Sequence, residues 1–106
     1  MDHYSIKYTK SSFDDLRGIF YYVSFINIEL ENAKKLIKTI KVKIDELSFF
    51  PHRYQALDNY PNLRKMVIKN HIVIYKIDDE NKVVFIIRII HSHKNISNLA
   101  SGKEDE

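Results

Sequence analysis

Residues 63–94 read LRKMVIKNHIVIYKIDDENKVVFIIRIIHSHK, and the fold turns on this stretch. Three runs rich in Val, Ile and Tyr follow one another, Arg64–Lys69, His71–Asp78 and Lys82–His91. β-Branched and aromatic residues suit a pleated strand. Only Asn70 and the DDEN segment at 78–81 separate the runs, and connections this short join antiparallel neighbours. The reading is a three-stranded antiparallel meander. Its last strand is apolar on both faces, which places it inside a sheet with both faces covered. It then breaks into His91, His93 and Lys94.

Upstream, His3–Thr9 alternates Tyr4, Ile6 and Tyr8 with Ser5, Lys7 and Thr9, the period of a strand. Ser11 and Ser12 stand three residues before Asp14 and Asp15, and this pattern predicts a helix start capped by a serine hydroxyl. The helix runs to about Phe25, with Phe13, Leu16, Phe20 and Val23 as its core face and Ile19 beside them. Asn27 is placed to cap a second helix. Leu30, Ala33, Ile37, Ile40, Ile44 and Leu47 repeat at helical spacing along it, and Lys34, Lys35, Lys38 and Lys41 form a solvated stripe. Phe49, Phe50 and Pro51 end it. Residues 52–62 read as a loop. The order is β-α-α-β-β-β, an α+β fold with an antiparallel helical hairpin on one sheet face. A hairpin covers one face only, so the two-faced apolar strand at Val83–Ile90 calls for a partner on the other.

The 106 residues make one domain, set at 1–96, followed by a polar acidic tail at 97–106 that is expected to be flexible. With no cysteine there is no disulfide, thiolate metal site or thiol nucleophile, which fits a cytoplasmic protein. The first ten residues, MDHYSIKYTK, hold no apolar core for a signal peptide, and no run is long enough to span a bilayer. Between Tyr60 and Lys94 there are seven Lys or Arg against three acids, all three in one turn, so the body is more basic than the formal net charge of +3 suggests. That balance points to an anionic partner such as nucleic acid.

Four segments together resemble the RelE/ParE superfamily of type II toxins. YSIKYTKSSFDDLRGIFYYV is similar to the family's first strand and helix, and IDELSFFPHR to the end of its second helix and the proline turn. LRKMVIKNHIVIYKID resembles its double strand, and FIIRIIHSHKN its closing strand. The closing motif departs from the family pattern: His93, Lys94 and Asn95 stand where many relatives have a basic pair and an Asp. The resemblance implies a toxin neutralised by a cognate antitoxin. It offers two mechanisms. RelE-like members cleave mRNA in the ribosome with basic and imidazole or tyrosine side chains; ParE-like members poison DNA gyrase without nuclease residues. The long hairpin looks ParE-like, and the imidazole cluster RelE-like.

Cleavage by 2′-OH attack needs a base, an acid and cations to steady the phosphorane. Histidine suits the first two roles, and Lys or Arg the third. His91, His93 and Lys94 are therefore the candidate catalytic residues of a ribosome-dependent mRNA interferase. Positions 91 and 93 point the same way on an extended strand. Arg64, Arg88, His71 and Tyr75 are the candidates for binding phosphate or the antitoxin; Arg88 alternatively forms a structural ion pair, and Tyr75 a half-buried strand residue. No cofactor is implied. No metal site is expected, because the H-x-H spacing has no carboxylate near it in sequence.

Overall fold

The computed structural model of the chain describes residues 3–92. The α+β class and the expected order hold: β1 (Ser5–Tyr8), α1 (Lys10–Tyr21), α2 (Leu30–Asp45), β2 (Ala56–Leu57), β3 (Tyr60–Ile68), β4 (His71–Asp78) and β5 (Val83–His91). The added β2 lies in what reads as loop, and β3 begins at Tyr60 rather than Arg64. All five strands join one sheet in the order β1-β5-β4-β3-β2. The β3–β4–β5 meander is antiparallel as expected, and β1 returns to pair parallel with β5. The most interior position therefore belongs to β4. Strand β5 sits between β4 and the edge strand β1, and both of its sides are still occupied by strands.

Alternate strand residues build two cores. Under the helices, Ile40, Ile44 and Leu47 meet Met66, Val73, Tyr75, Val84, Ile86 and Ile89. On the opposite face Leu57, Ile72, Ile74 and Ile90 form a smaller cluster, with Tyr60, Leu63 and Ile87 packed against it. Each fully buried aliphatic side chain stabilises the fold by roughly 1.5–3 kcal/mol. A bulge in β5 breaks the alternation: Tyr75 pairs with Ile86 but Ile74 with Arg88, leaving Ile87 as the extra residue. This is why Ile86 and Ile89 face the same core. For the same reason Ile90, four positions beyond Ile86, belongs to the opposite cluster and not to the face of Val84 and Ile86.

The helix boundaries differ from the expected ones. Thr9 caps α1, its hydroxyl accepting from the Ser12 N–H at 3.1 Å and donating to the Ile86 carbonyl at 2.9 Å. A cap that also ties the helix to β5 outcompetes the serines; Ser12 is fully buried and donates to the Thr9 carbonyl. At its far end α1 passes into a π-helical turn at Tyr22–Ile26, where the Ser24 hydroxyl donates to the Phe20 carbonyl at 2.6 Å. Asn27 closes that turn and does not cap α2; Glu29 takes the capping position without a side-chain bond. Between them Ile28 has φ 55°, left-handed for a β-branched residue. Phe13, expected in the core, is 55% exposed. Among the described residues no helix is long and apolar enough to cross a membrane.

Candidate functional site

Strand pairing places His71 opposite His91, with ring centroids 5.4 Å apart and the rings nearly perpendicular. His91 is exposed and His71 half-buried. Burial, and then the charge of His91, lower the His71 pKa from its ordinary value. A neutral imidazole can accept a proton but is a poor donor of one. The His71 Nδ1 is buried with no hydrogen-bond partner among the described residues. Both histidines line a cleft of about 810 Å³ between the sheet end and the hairpin, together with Asp14, Asp15, Tyr22 and Arg88. His93 and Lys94 lie outside the described residues.

The remaining candidates are committed elsewhere. Arg88 donates from Nε and Nη2 to the two carboxylate oxygens of Asp15, at 2.8 and 3.0 Å. The Ile89 N–H adds a third bond to Asp15, at 2.8 Å. This carboxylate holds the β5 bulge and the arginine together, the structural ion pair that was one of the two readings of Arg88. Arg64 donates to the carbonyls of His52 and Tyr54 and so fastens the segment after α2 to β3. Tyr75 is fully buried, with its hydroxyl donating to the Pro51 carbonyl at 2.6 Å. Burial pushes its pKa up to about 12. A side chain with no exposed surface cannot stack on a base, and Tyr75 is a core residue rather than a contact for nucleic acid. The two arginines lie on strands either side of β4 and do not meet.

Two features escape a sequence reading. Asp79 accepts from the Tyr4 hydroxyl at 2.7 Å and lies 2.9 Å from His52 Nε2. The Tyr4 hydroxyl first, and then His52, hold the Asp79 carboxyl below its usual pKa. The three residues fasten the chain start, the segment after α2 and the β4–β5 turn to one another, and no spacing rule links positions 4, 52 and 79. The second feature is a groove along the outside of the hairpin, of about 660 Å³, lined by Phe13, Leu16, Phe20, Phe25, Ile37 and Lys41. Tyr21 also lines it, and beyond it Tyr22, Ile26, Ile28 and Leu30 are exposed. The signal was present in the sequence: α1 is apolar on more of its circumference than one buried face needs.

A family model described as "ParE toxin of type II toxin-antitoxin system, parDE" matches residues 6–96. The chain belongs to the ParE toxin family. Solved structures with the same fold include the chromosomal ParDE toxin–antitoxin system of P. aeruginosa. That match has a TM-score of 0.70 and 22% identity, covering 84% of this ParE-family chain and 96% of the other. A mutant of the E. coli toxin RelE in the free state matches at TM-score 0.66 and 19% identity, over 93% and 92% of the two chains. The toxin–antitoxin complex RelBE2 from Mycobacterium tuberculosis matches at 0.62 and 20%, over 86% and 93%. No curated protein matches this ParE-family sequence.

Proposed function

We propose that this ParE-family toxin stops growth by binding DNA gyrase in the cytoplasm, without cutting nucleic acid itself, and that a cognate antitoxin neutralises it. The observation carrying this reading is the Asp15–Arg88 pair: the arginine best placed beside the histidines is already held by two hydrogen bonds to a carboxylate of its own chain. Arg64 and Tyr75 likewise spend their polar groups on backbone carbonyls. Phosphoryl chemistry needs cations already aimed at the developing charge, and an arginine paired with a carboxylate of its own chain is aimed elsewhere. The antitoxin is an amphipathic helix with acidic flanks. Its apolar side lies over Phe13, Phe20, Phe25 and Ile37, and its carboxylates face Arg17, Lys38 and Lys41, in the helix-in-groove mode.

A second reading, ribosome-dependent mRNA cleavage, is favoured by His71, which burial biases towards the neutral form, standing beside His91. In it His91 and His93 exchange protons and Lys94 steadies phosphate. The double substitution His91→Ala, His93→Ala separates the two after induction in cells. Binding to gyrase predicts undiminished toxicity, DNA damage and intact mRNA. Cleavage predicts toxicity reduced roughly 10²–10⁴-fold and mRNA cut only by the parent protein.

A further inference from the structure

The sheet face turned away from the helices carries a pattern that neither reading uses. Side chains alternate across a sheet, and Ile6, Tyr8, Val84, Ile86, Tyr75 and Ile77 all belong to the helix-side core. Lys7, Phe85 and Lys76 therefore point to the opposite face. Register brings them into one row across three strands, Lys7 opposite Phe85 and Phe85 opposite Lys76. The Lys76 ammonium stands 5.7 Å from the centre of the Phe85 ring. Lys65 lies on the same face beside Ile74. Among the described residues Lys7, Lys65 and Lys76 form no ion pair with a carboxylate. Asp78 shares the face: its carboxylate accepts from the Asn81 side chain at 2.9 Å and the Asn81 N–H at 3.1 Å, and these bonds, with the Lys76 charge adding to them, hold it below its usual pKa. A lysine on an edge strand such as β1 is explained by protection of the edge. Lys76 and Lys65 lie on interior strands, where that explanation fails.

We infer that this row is a platform for single-stranded nucleic acid: a base stacks on Phe85 and the neighbouring phosphates are held by Lys7, Lys76 and Lys65. An aromatic ring flanked by lysines is the arrangement that binds single strands without sequence preference. Two strand spacings separate Lys7 from Lys76, about 10 Å, so cations flank the ring on both sides. A duplex keeps its bases stacked inside and has no free π-face to offer Phe85. The platform lies towards the start of β5, away from the His71–His91 end, so the site survives whichever toxic mechanism operates.

Fluorescence anisotropy with the purified full chain tests this, using labelled oligouridylate and oligodeoxythymidylate of roughly 15 nucleotides, the upper range of such sites. Both should bind, since stacking ignores the sugar, with a log–log salt slope near −2 from three phosphate contacts at about 0.7 each. Phe85→Leu should weaken binding roughly 5- to 100-fold, and Phe85→Tyr should restore it. The triple change Lys7→Gln, Lys65→Gln, Lys76→Gln removes only surface charge and should flatten the slope. Lys34→Gln with Lys35→Gln, on the helix side, should leave it unchanged. The platform is overturned if the parent chain binds neither strand, if it prefers duplex DNA, if Phe85→Leu and the triple variant bind as the parent does, or if the helix-side variant loses as much.

Discussion

Asp15 is the residue on which most depends. Its two oxygens receive the Arg88 guanidinium and the Ile89 N–H, joining α1 to the bulge of β5. The side chains of Arg88 and Asp15 keep 30% and 16% of their exposure, so the cost of breaking the pair falls short of a fully buried one. Asp15→Ala should lower stability by about 2 kcal/mol in urea unfolding, and adding Arg88→Met should recover part of it, because the second change removes a charge left without its carboxylate. Tyr75→Phe deletes the bond to the Pro51 carbonyl and should cost about 1–2 kcal/mol while leaving toxicity intact, as befits a core residue. The buried phenols also set an alkaline limit. Burial, with the Asp45 charge adding to it for Tyr8, pushes Tyr8 and Tyr75 up to about 12. The unfolded chain releases those protons near pH 10. Between pH 10 and 12 the fold therefore binds more protons than the unfolded state, and stability falls as pH rises. Melting temperatures should be flat between about pH 8 and pH 10 and then drop, less steeply in Tyr75→Phe.

At the scale of elements the hairpin carries the strain. Ile28 combines a left-handed φ of 55° with 84% exposure, so neither backbone preference nor burial favours isoleucine there. Ile28→Gly should raise stability by about 0.5–1 kcal/mol, the relief of a left-handed β-branched residue less the entropy glycine loses on folding. Urea unfolding checks the sign. The opposite end of α1 works the other way. Thr9 both caps the helix and bonds to β5, so Thr9→Val, which keeps the shape and removes the hydroxyl, should cost at least the ~1 kcal/mol of an ordinary cap. A loss well below that would show the Ile86 contact to be worth nothing.

At the scale of the molecule, Phe13, Tyr21, Tyr22, Phe25, Ile26, Ile28 and Leu30 are all exposed along the hairpin. Exposed apolar side chains gathered along one hairpin mark a surface that associates. The isolated chain should therefore self-associate with rising concentration in sedimentation velocity. Phe25→Lys with Ile28→Lys should return it to a monomer with a melting temperature no lower than the parent's, since both residues lie outside the core and lysine is not β-branched.

Periodicity and short connections are local properties, so the helix and strand order, both turns of the meander and most of the helix-side core are legible in the chain itself. Its stripe of Leu16, Ile40, Ile44 and Leu47 lies where the spacing put it. Folding adds that β1 runs parallel to β5, that Thr9 rather than a serine caps α1, and that Phe13 faces solvent. Each depends on what a distant segment offers: the β5 carbonyls select Thr9, and the sheet reaches one side of α1 but not the other. The same holds for the candidate site. His71 and His91 are twenty positions apart and meet through strand register. Asp15 and Arg88, or Tyr4, His52 and Asp79, meet only because the fold brings together residues whose separation in the chain carries no information about their contact.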